Sequence, residues 1–263
     1  MKTSIIIPAR YASKRYPGKP LAMLRMSDGQ SKSLIQLSYE TACRVKGIDS
    51  IYVATDDTRI QSEAHAFGAE VIMTSSNCAN GTERCADAMM RATLEVDLVI
   101  NFQGDAPLTP EWFIEDLMDE MLRDNIAHMA TPVLKVDPQS YSHFKDDRLN
   151  GRVGGTTAVF DRSGYALYFS KEVLPYLSQQ HLADPNNLPF YHHVGVYAYR
   201  PETLKAYTNW PEGPLEKSEG LEQLRFLENG QKIKCVEVDG KGRLFWELNN
   251  PEDVERIEQV LGR

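Results

Sequence analysis

The sequence predicts an α/β fold, a Rossmann-like and mostly parallel sheet with helices on both faces, joined to a smaller β-rich arm. Two observations predict it. Strand-like and helix-like segments alternate through the first 125 residues, which argues for parallel strands linked by crossover helices. After about residue 130 the regular alternation stops and short strands separated by polar, turn-rich stretches take over.

The elements follow in order. Thr3 to Pro8 is a β-branched run ending at proline and reads as a buried strand. Ser33 to Arg44 reads as a helix with Leu34, Leu37 and Ala42 inward, and Ser50 to Thr55 as the next strand. Asp57 to Phe67 reads as a helix closed by Gly68, Ala69 to Met73 as a strand, and Thr82 to Leu94 as a helix. Asp97 to Phe102 is strand-like, and Pro110 to Arg123 is helical, with Trp112, Phe113, Leu117 and Met121 on one stripe. Beyond it, Ala130 to Val136, Gly155 to Asp161 and His193 to Tyr199 read as strands, and residues 178–192 as a mobile loop. Leu215 to Glu228 reads as one helix stopped at Asn229-Gly230, Lys232 to Val238 as a strand and Pro251 to Leu261 as the closing helix. One domain over 1–263 is expected: a nucleotide-binding half at 1–130, an arm at 131–212 and a return to the main sheet at 213–263.

Composition narrows the function. The chain of 263 residues is 42% hydrophobic and 25% charged, an ordinary globular balance. No apolar run approaches the ~18 residues of a membrane span, and Ile5, Ile6 and Ile7 before Pro8 are too few for a signal-peptide core. The net charge of −8 argues against a nucleic-acid partner. Lys2, Arg10, Lys14, Arg15, Lys19 and Arg25 nonetheless crowd into the first 25 residues, which suits a small anionic ligand. Cys43, Cys78, Cys85 and Cys235 form no ligand-spaced cluster, so mostly reduced core thiols and a cytoplasmic protein are expected.

In open parallel sheets ligands bind outside the carboxyl ends of the strands. Three segments fall there. The basic loop from Pro8 to Pro20 follows the first strand, with Gly18 permitting a tight turn. Its arginines and lysines suit phosphate oxygens or, alternatively, open solvent. The Walker pattern is absent. Gln103-Gly104-Asp105 ends another strand, and Asp105 either holds Mg²⁺ or caps a turn. Asn80-Gly81-Thr82-Glu83-Arg84 opens a helix, with Thr82 as the candidate cap and the first amides facing an anion or a base edge.

Together these segments resemble the 3-deoxy-manno-octulosonate cytidylyltransferases, or CMP-Kdo synthetases. PARYASKRYPGKPL at 8–21, ATDD at 54–57, GTER at 81–84 and QGD at 103–105 with Pro107 stand in family order. So do GYALYFS at 164–170, HVGVYAY at 193–199, LEQLR at 221–225 and PED at 251–253, so the resemblance spans essentially the whole chain. It implies the nucleotide-diphospho-sugar transferase type of fold and Mg²⁺-dependent transfer of CMP from CTP to the anomeric hydroxyl of a keto-sugar acid, with release of pyrophosphate, in lipopolysaccharide biosynthesis. By carry-over, Arg10, Arg15 and Lys19 hold the triphosphate, beside Pro8 and Ala9, and Asp105 binds the metal. Asp56, Gly81, Thr82 and Arg84 line the cytosine and ribose pocket, and Gln103 sits between nucleotide and sugar. His193, Tyr197, Glu222, Gln223 and Arg225 face the acceptor. A homodimer docked through the arm is implied.

Departures fall mainly on the acceptor half. Asn249 stands where the family has a metal-binding Asp, with Glu247 two residues earlier as a candidate substitute. Thr157 replaces a lysine, Lys171 an arginine, and Ala106 a polar residue. These departures predict an acceptor that is Kdo, a close analogue or another small acid. A sialic-acid-type synthetase and a CTP-binding protein without transfer activity are the alternatives. A hydride-transfer enzyme is disfavoured because GxGxxG is missing after the first strand.

Overall fold

A computed structural model describes residues 1–12, 16–105, 107–153, 155–182, 184, 188–242 and 253–261. The main sheet runs β5-β4-β1-β6-β11-β7, with β12 on the far side of β7. Its strands are β1 (Thr3–Ala9), β4 (Ser50–Thr55), β5 (Glu70–Met73), β6 (Leu98–Phe102), β7 (Met129–Lys135), β11 (Val196–Tyr199) and β12 (Ile233–Val238). The pairs β1–β4, β1–β6, β4–β5 and β7–β12 are parallel, while β11 runs antiparallel to both β6 and β7. The predicted mostly parallel sheet is therefore present.

Every residue of β1 is buried, because helices cover both faces. Its side chains alternate: Ile5 and Ile7 join one core with Ile35 of α1 (Leu34–Arg44), Ile60 of α2 (Thr58–Ala66) and Phe113 and Leu117 of α4 (Glu111–Arg123). Ile6 joins the opposite core with Cys85 and Met89 of α3 (Gly81–Arg91) and Leu204 and Tyr207 of α7 (Pro201–Tyr207). A small hairpin, β2 (Met23–Arg25) with β3 (Ser31–Ser33), lies apart from this sheet and packs against α10 (Asp253–Leu261) through Leu24 and Ile257. The arm extends from the outer half of β7 through β10 (Tyr191–His193), β8 (Thr157–Phe160) and β9 (Ala166–Ser170), all antiparallel. A single bridge from Tyr165 to Lys234 brings its hairpin back to β12.

Five expectations are corrected. The strand expected over His193 to Tyr199 breaks at Val194 and Gly195, where the Val196 amide turns back onto the Val194 carbonyl at 2.7 Å. The expected loop at 178–192 contains one helical turn, α6 (Gln179–Leu182), and β10. The helix expected over Leu215 to Glu228 is two helices, α8 (Pro214–Glu219) and α9 (Leu224–Glu228), because Gly220 turns left-handed at φ +62°. Asn80, not Thr82, caps α3, accepting from the Glu83 amide at 2.8 Å. The turn-rich stretch after β7 also holds a helix, α5 (Pro138–Leu149), which its polar composition hid.

The four cysteines are free; Cys85 and Cys235 are buried as expected of core thiols, whereas Cys43 is exposed. Among the described residues no helix is long and apolar enough to cross a membrane.

Candidate active site

Because β1, β4 and β6 are parallel, their carboxyl ends open on one edge of the sheet and carry Arg10, Asp56 and Gln103 with Asp105. At Gly104 the chain passes close to β1: a Cβ would lie 3.2 Å from Ile35 Cδ1 and 3.3 Å from the Pro8 carbonyl. Pro8 and Ala9 thus form the buried floor of this edge. Gly18, at φ +71°, returns the basic loop over Tyr11, whose carbonyl accepts from the Gly18 amide at 2.9 Å. Lys19 then reaches Asp105, Nζ to Oδ2, at 2.5 Å.

The phosphate and metal candidates therefore meet in one place. Arg10 is exposed and donates to the Ala79 carbonyl at 3.1 Å, bridging the loop to the turn before α3. Arg59 lies over the Tyr11 ring at 3.3 Å and pairs with Asp57, a brace for the loop that no motif announced. Arg15, Glu247, Asn249 and Ala106 fall outside the described residues.

On the nucleotide side, the buried Arg84 donates to Thr74 Oγ1 at 2.6 Å and stands 3.0 Å from Asp56 Oδ1. Asp56 is thus tied to α3 through the side chain of Arg84. Asn80 reaches from this turn to the Tyr207 hydroxyl at 3.0 Å, and Thr82 Oγ1 lies 2.8 Å from the Tyr199 hydroxyl.

The break at Gly220 carries Glu222 and Gln223 to the same face of the sheet. Glu222 accepts from the Thr82 amide at 3.1 Å and from Gln103 Nε2 at 3.3 Å. Burial pushes the Glu222 carboxyl up to about 6; the Thr82 bonds offset part of that rise, and Glu216 and Glu83 add to it. Gln223 accepts from the Tyr197 hydroxyl at 3.3 Å.

Tyr197 and His193 would stand roughly 13 Å apart along an unbroken strand. The break at Val194 brings their rings to 5.5 Å. His193 Nε2 lies 2.9 Å from Thr131 Oγ1, and burial, helped by His192, lowers its pKa to about 3, so the ring is neutral. Gly81, Thr82, Gln103, His193, Tyr197, Glu222 and Gln223 thus form one connected wall.

Two expectations do not fit. Arg225 was expected at the acceptor but is buried in an ion-pair network. It grips Glu216 with two bonds at 2.6 and 2.7 Å, donates to Glu83 at 3.0 Å and to the Trp210 carbonyl at 3.4 Å, and lies over the Tyr207 ring. Its donors are committed to the fold. Thr157 is likewise a strand-pairing residue, with its hydroxyl directed at the Glu172 and Ser170 carbonyls at 2.8 and 3.2 Å. Lys171 donates its amide to Glu219 at 2.9 Å.

Sequence reasoning missed Asn80, Tyr199, Tyr207 and Glu216. The Asn80-to-Glu83 spacing carried a visible capping signal. The tyrosines and Glu216 carried none, since their roles arise from packing between distant elements.

A basic loop with the carboxylates Asp56 and Asp105 at the edge of a parallel sheet is the arrangement of a nucleotidyltransferase. Residues 4–233 match the family model described as Cytidylyltransferase. A 3-deoxy-manno-octulosonate cytidylyltransferase of Maricaulis maris is 41% identical over 261 residues, covering 99% of this chain and 97% of that protein. An 8-amino-3,8-dideoxy-manno-octulosonate cytidylyltransferase of Shewanella sp. (strain ANA-3) is also 41% identical, over 263 residues and 99% of each. Among solved structures, CMP:2-keto-3-deoxy-manno-octonic acid synthetase complexed with CTP superposes with a TM-score of 0.84 at 32% identity, covering 99% of this chain and 98% of that one. The chain belongs to the cytidylyltransferase family, in its 3-deoxy-manno-octulosonate branch.

Proposed function

We propose that the protein transfers CMP from CTP to the anomeric hydroxyl of a 3-deoxy-keto-sugar acid, Kdo or its 8-amino analogue, and releases pyrophosphate. The hydroxyl oxygen attacks the α-phosphorus, the bond to the bridging oxygen breaks, and the hydroxyl proton is lost. The observation that carries the reading is the junction of Lys19 and Asp105, 2.5 Å apart, next to the wall of Gln103 and Glu222. It sets a phosphate-binding group and a hard oxygen donor beside polar groups suited to a sugar.

Lys19, with Arg10 and Arg15, would offset charge on the leaving pyrophosphate. Asp56 and the first turn of α3 would hold the nucleoside. Asp105 fits Mg²⁺, which takes one or two carboxylates together with phosphate oxygens, and among the described residues no larger acidic cluster competes for it. Glu247 or Asn249 would complete the metal site. The ion would supply charge neutralisation on the triphosphate. A homodimer through the arm and a cytoplasmic location accompany this proposal.

The 41% identity to both a Kdo and an 8-amino-Kdo enzyme supports either acid as acceptor. Pyrophosphate release with CTP and Mg²⁺ should be measured against Kdo, 8-amino-Kdo, sialic acid and a small phosphonate. Release with one of the first two is expected. Turnover of sialic acid or the phosphonate alone moves the protein to another acceptor class, and CTP binding without any release makes it a binding protein.

A further inference from the structure

Glu222 is a half-buried carboxylate with both oxygens engaged, one by the backbone amide of Thr82 at 3.1 Å and one by the side-chain amide of Gln103 at 3.3 Å. Ionised, it can only accept hydrogen bonds. The Gln103 amide must therefore present Nε2 to Glu222, since the flipped amide would set two acceptors against each other. The first turn of the 11-residue helix α3 holds the other oxygen of Glu222, so turning the carboxylate to relieve such a clash would break its bond to the Thr82 amide.

We propose that Glu222 is a positioning residue that fixes the polarity of the Gln103 amide, leaving Oε1 as the edge that meets the attacking hydroxyl. The inference rests on the reading of Gln103 as the residue between nucleotide and acceptor.

Polarity matters to the nucleophile. A carbonyl oxygen accepts a hydrogen bond from the hydroxyl, whose proton then passes to solvent, and leaves the oxygen lone pair free to attack phosphorus. An NH₂ in the same place would donate to that lone pair and hold it back. Because Gly81 has no side chain, the amide lies flat against the α3 turn: a Cβ there would stand 2.9 Å from Gln103 Nε2 and 3.2 Å from Oε1.

The arrangement is sensitive to pH. Glu222 faces Glu83 and Cys85 of α3, Glu216 of α8, Tyr199 of β11 and Tyr207 of α7, and among the described residues no cation pairs with it. With burial added, its carboxyl stands at about 6. Above that pH the carboxylate enforces the amide's orientation. Below it, the protonated acid donates as well as accepts, and either orientation of Gln103 is tolerated.

The test compares wild type with Glu222→Gln, Gln103→Glu and the double variant, using CTP and whichever acid the wild type turns over. In Glu222→Gln the Thr82 amide claims the new carbonyl, so an NH₂ faces Gln103 and reverses it. The expected result is a 30- to 100-fold loss in kcat, a KM for CTP within threefold of wild type, and loss of the acid limb near pH 6. In the double variant the new Glu accepts from that NH₂ and turns its second oxygen outward, so kcat should recover at least tenfold over Glu222→Gln. Activity of Glu222→Gln within threefold of wild type, or a double variant no better than Glu222→Gln, overturns the proposal. A second readout needs no acceptor: the ¹⁵N–¹H signals of the Gln103 side chain should titrate near pH 6 in wild type and stay flat in Glu222→Gln. A wild-type amide that is flat between pH 5 and 8 overturns the positioning role. Absence of pyrophosphate release from wild type defeats only the functional reading, and the amide titration still decides this one.

Discussion

At Gly81 the missing side chain leaves the room that the Gln103 amide occupies, so the two residues are a matched pair. Gly81→Ala would place a methyl 2.9 Å from Nε2, too close to stand. The far end of a glutamine moves cheaply, so the expected cost in stability is under about 1 kcal/mol. Movement breaks the bond to Glu222, however, and pyrophosphate release should fall about tenfold or more. Equal thermal melts with reduced kcat would bear this out, and unchanged kcat would refute it. Much at this scale was legible in the sequence: Gln103, Glu222, Thr82 and Gly81 all belong to motif segments and do converge. Arg225 was misread because its motif position says nothing of Glu216, nine residues earlier, whose carboxylate takes both arms of its guanidinium. A buried arginine needs such a partner, but which acid supplies it depends on how α8 and α9 fold back on each other.

Between elements, the clearest join ties the arm to the main sheet. Lys234 on β12 reaches Glu120 at 3.0 Å, Asp124 at 3.5 Å and the Ser163 carbonyl at 2.8 Å, while the Tyr165 hydroxyl donates to Asp124 at 2.7 Å. Burial alone would raise the Asp124 carboxyl. Bonds from Tyr165 and from the Ala127 and Ile126 amides, with the Lys234 charge, outweigh that and hold it at about 2, against an ordinary 3.8. A depressed carboxyl stabilises the fold above its unfolded value and loses that contribution as pH falls through its folded value. Wild type should therefore be more stable than Asp124→Asn by about 2 kcal/mol at neutral pH. The difference should shrink as pH drops from about 4 to about 2. Urea melts across that range measure it, and a gap that does not change with pH would refute the assignment. The elements joined here were only partly predictable. Period and turn residues revealed β7 and β12, but the hairpin strands β2 and β3 are only three residues each, the apolar run of β9 shows no alternation, and the breaks at Val194 and Gly220 need tertiary contacts to fix them.

Across the whole molecule, the described residues divide into a sheet edge that gathers phosphate and sugar groups and an arm with little core of its own. The arm's apolar cluster of Val136, Tyr141, Leu177, Leu188 and Phe190 is small beside the two cores of the main sheet. It also leaves Tyr176 88%, Leu149 81%, Leu167 62% and Val153 53% exposed. Scattered apolar residues on a surface need no explanation, but four in one arm are apolar area that a second copy would cover at roughly 25 cal/mol per Å². The proposed homodimer then makes a direct prediction. Sedimentation should give a mass near twice the 29.7 kDa chain. Leu167→Asp with Tyr176→Asp should shift it toward monomer at micromolar concentration, because each charge would have to be desolvated in the interface. Neither residue lies on the nucleotide wall, so CTP binding by the monomer should stay within a few-fold of wild type. Acceptor turnover should fall if the partner's arm stiffens the break at Val194, where β10 and β11 hold the His193 and Tyr197 rings together. A double variant that still sediments as a dimer would place the interface elsewhere. A wild-type monomer would leave the arm to stand on its own small core.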